Sequence, residues 1–203
     1  MSSVTHMKGA ALNNQAAEIG RITETLGPVV LAVKNDGEVA VVISVEKLSD
    51  SAALALSEDT AVTDEDTGYD GDTTDLVFTG EDLANTPIIP GSVTIAPTAG
   101  VDSVDATDRD GDGKLYTSDV DEDFCGTIDY FTGALELSYP AGKAPNTTNI
   151  LADYSYQDEA CVPGGFHSVN IPTNLPDETY IIKAAAAGQE SYVAIDAFIG
   201  ADQ

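Results

Sequence analysis

The chain has 203 residues and a mass of 21.0 kDa, enough for one β-sandwich or two small domains. Its 35 acidic and 8 basic residues give a formal net charge of −27, and a hydrophobic content of 42 % excludes plain disorder. No apolar run approaches the ~20 residues of a membrane span, and the first eight residues lack the apolar core of a classical signal peptide. The charge excludes nucleic acid and an anionic membrane face as partners.

The acidic residues are spread along the chain and are not gathered in one tail. They recur from Glu18 to Asp202 and are densest between Asp59 and Glu122, while lysine is scarce. At molar salt the Debye length falls to about 3 Å, which removes most of the repulsion within such a surface. We therefore interpret the composition as an adaptation to strong brine. The alternatives are an ordinary acidic surface protein and a surface neutralised by bound cations.

The N-terminal part is predicted to hold an arm followed by a β-hairpin. Residues 1–26 are typical of an arm, in which residues 8–19 favour either a short helix or an extended segment that awaits a partner. Two β-branched runs follow at 28–33 and 39–45. The residues between them, 34–38, contain Asp-Gly, a strong turn signal, so the two runs are predicted to form a hairpin.

The rest of the chain alternates strand signals with loops, two of which, at 63–75 and 101–113, are acidic. Several of the strand signals alternate apolar and polar residues, as half-buried strands do. The predicted strands are 76–79, 91–96, 114–117, 125–130, 134–139, 149–156, 165–171, 178–185 and 191–199. With no long amphipathic helix, this series predicts an all-β fold with an antiparallel β-sandwich.

Composition divides the chain into three predicted parts. The first, 1–67, holds the N-terminal arm and hairpin, and the second, 68–157, is a β-sandwich module with an acidic, cation-binding loop. The third, 158–203, holds C-terminal strands. Because both flanks are short for independent domains and carry strong strand signals, we expect 158–203 to pair with 27–60.

The sharpest chemical signal is an acidic loop with the spacing of a calcium-binding loop. Asp108, Asp110 and Asp112 alternate before a glycine, so their carboxylates can converge on one hard cation. The carbonyl of Lys114 is the predicted fourth ligand, and Asp119 stands at the twelfth place, where a bidentate Glu is more common. The predicted ion is Ca²⁺, with Mg²⁺ or Na⁺ as alternatives. A solvated turn without metal is the other interpretation, because acidic clusters arise easily in this composition.

Few residues suited to catalysis are present, and we expect that the chain is not an enzyme. His6 and His167 are far apart in sequence, and no nucleophile elbow, phosphate loop or dinucleotide fingerprint occurs. Cys125 and Cys161 either form a disulfide or remain two free buried thiols. The acidic run 119–123 after the predicted cation loop is interpreted as a solvated face.

The central part resembles a β-module that recurs in structural proteins of tailed viruses of bacteria and archaea. The resemblance covers about 90 of the 203 residues, and its pieces are specific only when taken together in order. They are Asp70-Gly71-Asp72-Thr73-Thr74, Phe78-Thr79-Gly80, Leu83 to Ile95 with Pro90-Gly91-Ser92-Val93-Thr94-Ile95, Asp110 to Leu115, Gly126 to Leu135, and Ala152-Asp153-Tyr154-Ser155-Tyr156.

The resemblance implies a virion surface or assembly protein of the capsid decoration or cement type, built on a β-sandwich. Its partners would then be the major capsid protein and copies of itself, with a trimer as the first expectation and a pentameric turret as the second. Its place would be the virion, assembled in the host cytoplasm. The heavy acid load, the longer segment 119–124 and Cys125 depart from the pattern and fit a virus of a halophilic archaeon.

Two other functions remain open from the sequence. Within the same system, the chain could instead be a tail or baseplate component. In a different class, it could be a calcium-stabilised adhesion module on the surface of a haloarchaeal cell. The copy number in particles separates the head from the tail, since decoration proteins are present in hundreds of copies and tail components in a few to tens.

Overall fold

The computed structural model contains strands and no helix among the residues that it describes, which are 3–23, 29–51, 54–56, 59–72, 74–97, 104–145, 149–157, 160–171 and 178–199. In chain order the strands are β1 Ser3–Asn13, β2 Ala17–Thr23, β3 Val29–Asn35, β4 Val41–Lys47, β5 Asp59–Asp66, β6 Val77–Asp82, β7 Thr94–Pro97, β8 Ala106–Thr107, β9 Lys114–Thr117, β10 Phe124–Ile128, β11 Ala134–Ser138, β12 Ile150–Gln157, β13 Phe166–Ile171, β14 Thr179–Ala186 and β15 Ser191–Ile199. Unit 1 comprises Met1–Asp59 with Asp158–Gln203, and unit 2 comprises Thr60–Gln157.

Unit 1 is a seven-stranded sheet that is folded into two halves. Its strand order is β13-β3-β15-β1-β14-β2, and β4 pairs with β14 as well. β1 joins the halves, because its first part runs antiparallel to β15 whereas Leu12 and Asn13 run parallel to Ala185 and Ala186 of β14. One half is therefore β13-β3-β15-β1 and the other is β4-β14-β2.

One apolar core fills unit 1, and both halves contribute to it. Along β3 every second side chain is buried, which is the alternation of a strand with one face on a core. The buried cluster takes residues from each of the seven strands, among them Met7, Ile22, Leu31, Ile43, Val169, Ile182 and Ile195. The two halves thus pack face to face, and the predicted all-β fold with an antiparallel, sandwich-like arrangement is confirmed.

The hairpin predicted between the first two β-branched runs does not form. β3 pairs with β13 and β15, while β4 pairs with β14, so the chain crosses from one half to the other between them. The buried side chain of Asn35 holds this crossing: its Nδ2 donates to the carbonyl oxygens of Val39 (2.7 Å) and Cys161 (2.8 Å). Its Oδ1 accepts from the N–H of Gly37 and the hydroxyl of Ser191, both at 3.0 Å. The bonds to Cys161 and Ser191 are long-range, and they outweigh the local turn signal.

The start of the chain is a strand of the sheet and not the arm that the sequence predicts. β1 lies between β15 and β14, with Met7 and Ala11 buried in the core. Gly20 of β2 packs against Met7, where a Cβ would stand 2.4 Å from the Met7 Sδ atom. The polar, helix-competent composition of this segment is overridden because β15 supplies a backbone partner along most of β1.

The two flanks of the chain share one sheet. β13 and β15 pair with β3, and β14 pairs with β4, so segment 158–203 does pair with segment 27–60 over the described residues. The central unit begins at Thr60, whereas the sequence places its start at 68. The difference arises because β5 pairs with β12, and the Thr67 hydroxyl donates to the carbonyl of Ile150 at 2.7 Å.

Unit 2 is an eight-stranded sheet in the order β5-β12-β7-β8-β9-β10-β11-β6. The pairs β12-β7, β7-β8, β8-β9, β9-β10, β10-β11 and β11-β6 are all antiparallel. Apolar and aromatic side chains are buried along it, among them Tyr69, Ile95, Leu115, Ile128, Tyr130, Leu135 and Ile150. The acidic loop of residues 108–113 connects β8 to β9 in the middle of this order, so two paired strands fix both of its ends.

Candidate functional site

The predicted cation loop starts from a buried carboxylate. Asp108 is 1 % exposed, and its Oδ2 accepts hydrogen bonds from the N–H of Gly91 (2.9 Å) and the hydroxyl of Tyr130 (2.6 Å). The Tyr130 oxygen in turn accepts from the N–H of Gly113 at 2.7 Å. Burial raises the pKa of Asp108, although the bonds from Tyr130 and Gly91 oppose this shift. This network ties the loop to the turn before β7 and to the end of β10.

Burial also raises the pKa of Tyr130, the hydrogen-bond partner of Asp108. Tyr130 is 0 % exposed, and burial raises the pKa of its hydroxyl, with the charge of Asp108 as the next cause. The tyrosine therefore stays protonated and acts as a hydrogen-bond donor to the carboxylate. The second oxygen of Asp108, Oδ1, is buried and has no hydrogen-bond partner within the described part of the chain. The backbone N–H of Gly111, in the same loop, also lowers the pKa of Asp108.

The remaining predicted ligands point to other partners. The Asp112 carboxylate accepts from the backbone N–H of Lys114 (3.0 Å) and from its Nζ (2.5 Å). The Asp119 carboxylate accepts from the hydroxyl of Thr117 (2.7 Å) and lies 2.6 Å from the Nζ of Lys143. Asp110 is exposed at the tip of the loop. The backbone of Lys114 lies in β9, opposite β10.

The structure therefore brings Asp108 and Asp112 into one loop but turns Asp119 toward a lysine. Among the described residues, no three His, Cys, Asp or Glu side chains are grouped as they would be around a metal ion. The calcium site stays a prediction. To bind there, a cation would take the Oδ1 of Asp108 and displace ammonium groups from Asp112 and Asp119.

We expect Ca²⁺ to raise the melting temperature of the parent chain relative to chelator, because a cation would compensate the buried Asp108 carboxylate. In the Asp110→Ala, Asp112→Ala double variant the rise should be absent. The control is Glu38→Ala with Glu190→Ala, which removes two exposed acidic residues of unit 1 without touching the loop. Differential scanning calorimetry measures all three chains. Equal melting temperatures of the parent with Ca²⁺ and with chelator would contradict the predicted metal site.

A lysine surrounded by carboxylates is the feature that the sequence analysis missed. The Nζ of Lys143 lies 2.6 Å from Asp119, 3.0 Å from Asp123 and 3.4 Å from Asp121. The bond to Asp119 is the main cause that raises the pKa of Lys143, and the same bond lowers the pKa of Asp119. Three of the four acids in the run 119–123, predicted as a solvated face, are therefore held by one ammonium group, and the fourth, Glu122, pairs with Arg109. Lys143 lies 20 residues beyond Asp123 in the sequence, so no local pattern indicated this contact.

We expect Lys143→Met to lower the melting temperature by several degrees at the lowest salt concentration at which the parent chain stays folded, and by less in about 3 M NaCl. The physical reason is that three carboxylates lose their common counter-charge. Lys114→Met is the matched control, since Lys114 pairs with a single carboxylate. Thermal unfolding of both variants across a salt series measures the effect, and equal shifts in the two variants would contradict it.

Both cysteines are free and buried. Of the two alternatives left open by the sequence, the structure has the free thiols and not the disulfide. Burial raises the pKa of Cys125 to about 11 and also raises the pKa of Cys161. Since the thiolate is the reactive form, neither side chain is activated as a nucleophile.

No protein-family model matches the chain, and no curated protein matches its sequence. Among solved structures, the chain is loosely similar to VP17, a capsid protein of bacteriophage P23-77, with 9 % identity, a TM-score of 0.19 and coverage of 98 % of each chain. No fold assignment follows from a similarity at this level. In the part of the chain that the structure describes, no helix is long and apolar enough to cross a bilayer.

Proposed function

We propose that the chain is a structural protein of the virion of a salt-adapted tailed virus, bound to the head as a decoration, cement or turret protein. The observation that carries the proposal is that the whole resemblance lies within one compact unit. The ordered motifs that resemble the viral β-module run from Asp70 to Tyr156, and they lie entirely within unit 2, Thr60–Gln157. A resemblance that fills one compact unit is what a recurring module predicts.

The resembling motifs also have definite structural roles in unit 2. Gly91, with a φ of 82°, donates its N–H to the buried Asp108. Gly133, with a φ of 80°, closes the turn between β10 and β11, and a Cβ there would stand 2.4 Å from the carbonyl oxygen of Leu83. Tyr130 of the same turn holds the acidic loop. The shared residues thus build the module itself, which supports a common architecture.

The charge distribution supports a passive role in brine. Unit 2 carries 20 acidic and 3 basic residues, a formal charge of −17, whereas unit 1 carries 15 acidic and 5 basic residues, a formal charge of −10. In the proposed role the chain performs no chemical step. It adds binding energy between neighbouring subunits of the head, with the major capsid protein and further copies of itself as partners, and it presents an acidic surface to the medium.

Quantitative mass spectrometry of particles purified from a lysed haloarchaeal culture tests this proposal. We expect a ratio of this chain to the major capsid protein near one, or a simple fraction set by capsid symmetry. A few to tens of copies per particle would move the chain to the tail or baseplate. Absence from particles, together with its recovery from the cell envelope, would replace the viral role by that of a calcium-stabilised surface module.

A further inference from the structure

The turn between β9 and β10, together with the first residue of β10, is a surface segment that the core of unit 2 hardly holds. We call it the 118–124 segment. The structure describes all of it, and none of its side chains is buried, whereas Thr117 and Cys125 on either side are each 0 % exposed. Val120, in its middle, is 97 % exposed. Burial of apolar surface therefore contributes little to the position of this segment, and other forces have to hold it.

Two cations from neighbouring loops bind the 118–124 segment. Lys143, on the turn after β11, places its Nζ among three carboxylates of the segment. They belong to Asp119 (2.6 Å), Asp123 (3.0 Å) and Asp121 (3.4 Å). The second cation is Arg109, in the acidic loop of residues 108–113, whose guanidinium pairs with Glu122. Every acidic side chain of the segment is thus bound by a cation that lies outside it.

Few backbone hydrogen bonds reinforce these ion pairs. At the base of the segment, the N–H of Thr117 donates to the carbonyl of Asp123, and the N–H of Asp123 donates to the hydroxyl of Thr117, both at 2.9 Å. The N–H of Ser118 donates to the carbonyl of Asp105 at 2.8 Å. Within the segment, Glu122 has a φ of 48°, in the left-handed region that residues with a side chain rarely adopt. Opening of the segment relieves this strain.

A β-bulge separates the 118–124 segment from the rest of β10. The register of β10 on β9 passes from Phe124 with Tyr116 to Gly126 with Leu115. Cys125 is therefore the extra residue of the bulge. The register of β10 on β11 begins only at Gly126. Because a bulge interrupts the ladder of backbone hydrogen bonds, the end of the strand before Gly126 can leave the sheet without breaking the ladder beyond it.

The thiol of Cys125 lies close to the ion pairs of the segment. It is buried, and burial is the main cause that raises its pKa to about 11. The next causes are the charges of Asp123, Lys143 and Asp119, which act on the thiol because they are near it. With the segment in its closed position, the thiol is thus protonated and out of reach of reagents.

We propose that the 118–124 segment is a gate over Cys125 that opens as one local unit while the rest of unit 2 stays folded. Ion pairs on a surface are individually weak, and the segment, which is described in full, buries no side chain whose exposure would oppose opening. The strands around it differ, because they bury Leu115, Ile128 and Leu137 in the core. In the open form the thiol of Cys125 regains an ordinary pKa and reacts. The inference rests on unit 2 alone and is independent of the proposed role in a virion.

Hydrogen exchange followed by mass spectrometry in about 3 M NaCl tests the part that Lys143 plays in closing the gate. In Lys143→Met we expect exchange in the peptide 117–125 to be about threefold faster or more, and exchange in the β12 peptide 150–157 to be unchanged. Lys114→Met is the matched control, since Lys114 pairs with Asp112 outside the segment, and it should leave both peptides as in the parent. Equal acceleration of both peptides in Lys143→Met, or no acceleration at 117–125, would overturn the proposal.

A second measurement uses the unaltered chain, so that it does not depend on the folding of a variant. The chain in about 3 M NaCl is labelled with a maleimide at several low concentrations of urea, and site-resolved mass spectrometry gives the rate at Cys125. Opening of the segment exposes little surface, so we expect this rate to be independent of urea below the unfolding transition. A rate that rises with urea from the lowest concentration would show unfolding of the whole unit, and a thiol that never reacts in the folded protein would show that the gate stays closed. Either result would overturn the proposal.

Discussion

In about 3 M NaCl the chain should give the circular dichroism of a folded β protein, and in about 0.1 M NaCl it should lose most of that signal. The reason is the formal charge of −27 on 203 residues. At the lower salt the Debye length is about 10 Å, so neighbouring carboxylates on the surface repel one another, and at molar salt it falls to about 3 Å. The unfolded chain spaces these charges further apart and is favoured in dilute buffer.

The two free cysteines report separately on the unfolding of each unit as the salt concentration falls. Cys125 lies in unit 2 and Cys161 in unit 1, and both are buried. Because unit 2 carries the greater charge on fewer residues, Cys125 should become reactive to a maleimide at a higher salt concentration than Cys161. Site-resolved mass spectrometry during dilution from brine measures both midpoints. A chain that stays folded in dilute buffer would contradict the salt adaptation. If Cys161 were labelled at a higher salt concentration than Cys125, the charge of unit 2 would not be the cause of the unfolding.

Tyr130→Phe should produce the largest loss of stability among the conservative substitutions in the acidic loop network. It removes the hydroxyl that donates to Asp108 at 2.6 Å and accepts from the N–H of Gly113 at 2.7 Å. A buried carboxylate then loses one of its donors, and a buried N–H loses its acceptor. Each such loss costs about 1–3 kcal/mol, so we expect about 3 kcal/mol in total, or a fall of about 6–12 °C in melting temperature.

Tyr139→Phe provides the matched control for this substitution. Tyr139 is also buried in unit 2, but its hydroxyl has no hydrogen-bond partner among the described residues. Removing that hydroxyl should leave stability unchanged or raise it, because an unpaired polar atom leaves the interior. Chemical denaturation of the two variants in brine compares them directly. If both lose the same free energy of unfolding, the bond to Asp108 does not stabilise the loop.

In the candidate site, the local spacing of residues predicts the loop, whereas its contacts depend on the long-range structure. Alternating aspartates in the sequence indicated a loop around Asp108–Asp112, and the structure does form one. The sequence could not show that Asp108 is bonded to Tyr130, which is 22 residues away. It also could not show that Asp119 faces Lys143. Both contacts depend on which strands lie beside one another, and no local pattern encodes that.

The same distinction between local pattern and long-range structure holds for the fold. Eleven of the fifteen described strands were predicted from the sequence by itself, because alternation and β-branched residues act within a few neighbours, whereas β1, β2, β5 and β8 were not. From its acid excess the sequence also predicts a surface suited to brine. Tertiary structure decided the pairing. β1 became a strand because β15 offers it a complementary edge, and β3 left its expected hairpin because buried Asn35 bonds to Cys161 and Ser191. These partners are far apart in the chain, and the free energy gained by burying their apolar faces and satisfying their polar groups exists only when the whole core has formed.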